Sequence, residues 1–209
     1  MKYIKLFENF EKTNPNDNIL IIVDIQKSFK KFFTEIYLHK VKEYCNQFKQ
    51  VYQIWDNHID GKNVDKDYLY DEDPTIPVHS DLYDFPNQKD IIEKRYNYNV
   101  NVDFYKKILD SKTYKLIKSK EENKQLKRGD FFYTKEDTII VYIGNNHIWH
   151  HLPKKLYELF KDLKGKEVVM IGGADHECFL DIEVAAKSLG VKVKRDFRFI
   201  YSATNCPIK

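Results

Sequence analysis

The chain has 209 residues, a formal net charge of +3, 42% hydrophobic and 32% charged residues. That length suits one α/β domain, or one domain with an insertion, and is enough to bury a real core. So small a net charge, with lysines interleaved among acids, argues against a nucleic-acid partner, and no apolar run approaches the roughly 20 residues that span a bilayer.

Residues 1–17 read as an N-terminal arm. KYIKLFENF carries Tyr3, Ile4, Phe7 and Phe10 at helical spacing, and TNPND breaks it. The arm lacks the long apolar stretch and small-residue cleavage site of a secretory leader. Residues 18–24, NILIIVD, form a continuous aliphatic run closed by an acid, the pattern of a buried strand. A helix is expected from there to about Phe48. Residues 50–56, QVYQIWD, read as a second strand closed by an acid and followed by Asn57 and His58. Residues 61–89 are polar and rich in Asp, Tyr and Pro, as in a long loop that could cover a site. Residues 90–94, DIIEK, read as a third strand ending at Lys94, and 103–109 as a short helix.

Residues 112–148 read as an insertion. The stretch is Lys-rich up to Arg128, and 131–134 and 138–143 then predict a hairpin. Leu156, Leu159, Phe160 and Leu163 mark an amphipathic helix over 152–163. In 168–190, VVMIGGADHECFLDIEVAAKSLG, an apolar strand stops at Gly172 and Gly173. Cys178 then opens a helix with Ile182, Ala185, Ala186 and Leu189 at helical spacing, closed by Gly190. Residues 191–194 are a further strand, and 196–202 a closing strand or loop. The alternation of strands and helices predicts a mainly parallel sheet with right-handed crossovers, in a three-layer α/β/α sandwich.

Three chemical groups fall at strand ends: Asp24, Lys94 and Cys178. The carboxyl edge of an open α/β sheet is its ligand crevice. A thiolate there can attack a carbonyl, a carboxylate can take the thiol proton and pass it to a leaving amine, and an ammonium can steady both anions. The first turn of a helix beside an ammonium is also expected to lower a thiol pKa. On the residues alone, a lone cysteine in a strand-helix turn is more often an inert packing residue. The polar neighbours Asp175, His176 and Glu177 favour a pocket. The cysteines Cys45, Cys178 and Cys206 are odd in number and far apart, which points to a reducing cytoplasm rather than a disulfide framework or a zinc ribbon.

Three blocks, in order, resemble the isochorismatase-like cysteine hydrolases, the family that includes nicotinamidases and carbamoyl and ureido hydrolases. VDIQKSF (23–29) is similar to the first-strand motif, IIEKRY (91–96) to the lysine block and IGGADHECF (171–179) to the nucleophile turn. The resemblance implies Asp24, Lys94 and Cys178 as catalytic residues, a Rossmann-like fold, homo-oligomers and no required cofactor. It also implies a cis Gly173–Ala174 bond, with the Ala174 and Cys178 amides as an oxyanion hole. Such a donor is typically worth about a hundredfold or more in rate. Pocket candidates are Gln26, Phe29, Trp55, Tyr96, Tyr98, His176 and Glu177, with Trp149 as a further aromatic wall. For Trp55, core packing is the competing reading.

The chain also departs from the pattern. Asn97-Tyr98-Asn99 replaces the family's small-Ala-Phe turn, which puts substrate identity in doubt. Asp56 and His58 match two members of the metal site of nicotinamidases, but 59–65 lacks the next His. A divalent metal such as zinc and a pair of polar pocket residues both remain open at Asp56 and His58. His147, His150 and His151 read as exposed or capping residues. The expected function is hydrolysis of a small amide through a thioester on Cys178. The alternatives are a degenerate binding protein with this fold, or an isochorismatase proper.

Overall fold

The structure is a computed structural model that describes residues 18–56, 82–94, 98–99, 102–136, 138–143, 149–176, 178–202 and 204–208. In chain order the strands are β1 (Ile19–Val23), β2 (Gln50–Asp56), β3 (Gln88–Lys94), β4 (Tyr98–Asn99), β5 (Phe131–Tyr133), β6 (Thr138–Tyr142), β7 (Trp149–Pro153), β8 (Glu167–Gly172) and β9 (Lys192–Ile200). The helices are α1 (Glu35–Cys45), α2 (Ser111–Glu122), α3 (Lys154–Asp162) and α4 (Cys178–Ser188).

The central sheet has the order β3-β2-β1-β8-β9, and every pairing in it is parallel. Its middle strand explains the sequence pattern. Ile19, Ile21 and Val23 pack with α3 and α4 on one face, while Leu20 and Ile22 pack with α1 on the other. Both faces are covered, so the run is aliphatic throughout instead of alternating. From β1 the chain builds outward through β2 and β3, and later through β8 and β9 on the other side. The strand order therefore reverses between β1 and β8, the place where open α/β sheets bind ligands.

The helix expected after β1 is split. Lys27–Phe32 is a 3-10 turn, and Thr34 starts α1 afresh by accepting the Tyr37 amide at 3.1 Å. Residues 192–200 form one strand where two pieces were expected. Among the described residues no helix is long and apolar enough to cross a membrane.

A second, antiparallel sheet has the order β4-β7-β6-β5. It contains the expected hairpin, β5 and β6, but also β4 and β7 from outside 112–148. On β6, Ile139 and Val141 join the core on the α3 side, while Ile140 and Tyr142 pack with Trp149 and Ile117 of α2. That helix occupies the Lys-rich stretch. Asp110 caps it by accepting the Lys112 and Thr113 amides, both at 2.9 Å. Residues 102–105 are a 3-10 turn overlapping the start of the helix expected over 103–109.

The reading of His150 and His151 as exposed or capping is corrected: both lie in β7. His150 is 4% exposed, and burial lowers its pKa to about 4. The His151 ring is 2.6 Å from the Thr138 hydroxyl. In WHHLP, Trp149 and His151 share one face of the strand and His150 and Leu152 the other, so the adjacent histidines mask the two-residue period. The N-terminal arm, His147 and most of the expected 61–89 loop lie outside the described residues.

Candidate active site

Asp24 is the first residue past β1, and its N–H donates to the Ile54 carbonyl on β2 at 2.9 Å. Its φ of 53° is left-handed. Such a residue stores on the order of 1 kcal/mol or more, and Asp tolerates it better than most side chains. Lys94 ends β3, in register with Asp56 at the end of β2. Lys94 and Asp24 are both buried, at 2% and 1% exposure. The Lys94 ammonium donates to the Asp24 carboxylate and lies 3.5 Å from the Asp56 carboxylate. Charges removed from water this completely need such pairing.

Cys178 arrives from the other side of the switch point. At Gly172 φ is 111°, and a Cβ there would collide with the Val23 carbonyl, so only glycine allows β8 to pass β1 this closely. The Gly173 N–H donates to the Val23 carbonyl at 3.0 Å, and the Phe179 N–H to the Ala174 carbonyl at 3.2 Å. The Gly173–Ala174 peptide is cis, the isomer the resemblance implies there. The thiol of Cys178, half-buried at the start of α4, is hydrogen-bonded by Lys94 and feels Asp24 and Asp56.

The thiol pKa departs from the sequence expectation. Burial above all, with Asp24 and Asp56 adding to it, pushes the thiol up to about 12 against the lowering effect of Lys94. Desolvation outweighs both the ammonium and the helix start. At neutral pH the sulfur is therefore a thiol facing a carboxylate-ammonium pair. Such a group becomes a nucleophile when a base removes its proton during attack.

An ion network braces the turn. Arg195 Nη1 on β9 donates to Asp175 at 2.9 Å, and its Nε donates to both Glu183 oxygens at 3.0 Å. Lys187 adds a 2.7 Å bond to the buried Glu183. Burial alone would raise the Glu183 pKa, but its bonds to Arg195 and Lys187 hold it below the usual 4.5.

The other expected pocket residues divide. Gln26 is buried and clamps the end of β2: its Nε2 donates to the Asp56 carbonyl at 2.8 Å and its Oε1 accepts the Asp56 amide at 3.0 Å. Phe29 belongs to the core beside α1. Trp55 is 5% exposed and, by strand alternation, projects on the face of β2 opposite Asp56. Trp149 is buried among Phe132 and Tyr142, away from a pocket-wall role. The His176 side chain is 85% exposed, 3.7 Å from the Asp175 carboxylate. His58, Tyr96, Glu177 and the Tyr98 side chain lie outside the described residues.

Sequence reasoning missed Asp56 as a second carboxylate on Lys94, and missed Arg195 and Tyr201. Asp56 carried a signal: it ends a strand adjacent to the one ending in Lys94. For a metal, Asp56 is the one described member of the expected pair, and it already faces an ammonium. Among the described residues no group of three or more His, Cys, Asp or Glu could hold a metal ion. The described residues therefore do not compose a metal centre, and no chemical step below passes through one. No protein-family model matches the chain, nor does any curated protein or solved structure.

Proposed function

We propose that the protein is a cysteine amidohydrolase of the isochorismatase-like kind, cleaving the C–N bond of a small amide or of a carbamoyl or ureido compound. The observation that carries this reading is the buried Lys94, which joins the Asp24 carboxylate and the Cys178 thiol at the switch point of a parallel sheet. A packing role for Cys178 would not require two buried charges beside it.

The mechanism follows from those positions. Asp24 takes the thiol proton as sulfur bonds to the substrate carbonyl carbon. The carbonyl π electrons move to oxygen, and the Ala174 and Cys178 amides stabilise the oxyanion. The oxyanion collapses, the C–N bond breaks, and Asp24 returns its proton to nitrogen, so ammonia or an amine leaves. A thioester remains on Cys178. Water then attacks its carbonyl while Asp24 accepts a water proton. The C–S bond breaks, the acid is released and the proton returns to sulfur. Lys94 keeps its proton throughout and balances Asp24 or the departing thiolate.

A panel of small primary amides and ureido compounds, nicotinamide included, assayed for ammonia release, tests the reading. At least one member is expected to turn over with wild-type protein and none with Cys178→Ala. Turnover that survives Cys178→Ala refutes the thioester.

A further inference from the structure

Tyr201 follows β9 and is 1% exposed. It bonds to both halves of the site. Its hydroxyl donates to the Asp24 carbonyl at 2.6 Å. Its N–H donates to the Gly172 carbonyl at 2.9 Å, and its carbonyl accepts the Asp175 N–H at 3.0 Å. A Cβ added at Gly173 would come within 2.5 Å of its ring, so the ring lies directly against the nucleophile turn. Phe33, Tyr37 and Phe32 hold the ring's position, with centroids at 5.5, 6.1 and 6.3 Å.

The Asp24 carbonyl belongs to the peptide that leaves a left-handed residue. A buried donor on that oxygen fixes the peptide plane, and with it the direction of the Asp24 side chain. Burial keeps the phenol protonated, with its pKa raised well above 10.0, so it remains a donor throughout the working range. If core filling were its whole purpose, a phenylalanine ring would suffice in a pocket so rich in aromatics.

We propose that Tyr201 is the positioning residue of this site: its hydroxyl and ring together fix the spacing of the Asp24 carboxylate and the nucleophile turn that carries Cys178. Its mechanistic meaning rests on the amidohydrolase reading, and its geometry rests on the bonds above. Tyr201→Phe separates the two roles of the side chain, because it keeps the ring contacts and removes the bond to Asp24.

The test is the rate of Cys178 alkylation by iodoacetamide against pH in the full-length chain, located by peptide mass. Wild type, Tyr201→Phe, Asp24→Asn and the double variant are compared, with thermal melts confirming that each is folded. Asp24 opposes ionisation of the thiol, so Asp24→Asn is expected to speed alkylation at a given pH. Tyr201→Phe is expected to speed it about threefold at pH 8, half a pKa unit. The double variant should match Asp24→Asn alone, because the hydroxyl acts through Asp24. Should Asp24→Asn respond while Tyr201→Phe does not, or should the two effects multiply, the positioning role is overturned and the site reading stands. Should neither respond, Asp24 is not coupled to Cys178, and both readings fall.

Discussion

Lys94→Met keeps the reach of the side chain and deletes its charge. In the variant the Asp24 carboxylate, on a residue 1% exposed, loses the cation beside it. Removing one partner of a buried ion pair costs about 3–5 kcal/mol. Asp56, with its side chain 25% exposed, keeps enough water that its own loss is below about 1 kcal/mol. In a domain of this size each kcal/mol moves Tm by roughly 2–4 °C, so the variant should melt roughly 6–20 °C below wild type at pH 8. The loss also carries a pH signature. A buried carboxylate deprived of its cation takes up a proton more readily than it does in the unfolded chain. At this site the folded variant then binds more protons than the unfolded one, so its deficit relative to wild type shrinks as pH falls from 8 toward 5. Adding Asp24→Asn to Lys94→Met should recover most of the loss. Fluorescence-detected melts across that range measure all of this. A Lys94→Met chain that melts within 2 °C of wild type at pH 8, with an unchanged pH trend, would refute the buried charge pair.

Other outcomes follow from the same structure. The folded-state pKa of Glu183 is depressed, so its stabilising contribution is present above about pH 4.5 and is lost as pH falls through the folded value. Arg195→Gln, removing charge-assisted hydrogen bonds to Glu183, should cost about 1.5–3 kcal/mol at pH 7 and flatten that acid limb, and melts from pH 3 to 6 that are unchanged from wild type would count against the network. His150 shifts the other way in charge. The unfolded chain binds its proton near 6.5 and the folded chain only near 4, so stability rises with pH across that window. At 1.36 kcal/mol per unit the gain approaches about 3 kcal/mol, and His150→Leu should remove that part of the slope, leaving the part due to His151, whose pKa burial also lowers; a slope unchanged from wild type would mean the His150 ring is not buried. Gly172→Ala should cost about 3 kcal/mol or more, because the new Cβ meets both the left-handed φ and the Val23 carbonyl. A variant melting within 2 °C of wild type would show that β8 does not approach β1 this closely.

The central sheet was legible because its strands are aliphatic on both faces. NILIIVD and VVMIGG cannot be amphipathic helices at that length and density. The convergence of Asp24, Lys94 and Cys178 was legible for a related reason: each follows a run whose end a turn residue or an acid marks. The second sheet was only half legible. Its hairpin announced itself by FFY and TIIVY, but β4 has two residues, and β7 hides its period in two adjacent histidines. The sign of the Cys178 shift was not readable at all. A helix start and a nearby lysine are visible in sequence, but the desolvation that overrides them depends on tertiary packing around the thiol. Tyr201 was invisible for the same reason, since nothing in FIYSAT marks a hydroxyl that reaches residue 24.

The proposed mechanism passes through a covalent bond to Cys178, and acid-quenched intact-mass analysis tests that bond most directly. The protein is mixed with the amide from the panel that releases ammonia fastest, then quenched and mapped. The expected result is a mass increase equal to the acyl group, located on the peptide carrying Cys178 and absent from Cys178→Ala. Ammonia release without an adduct in wild type and undiminished in Cys178→Ala would contradict it, as would a panel in which no amide yields either ammonia or adduct.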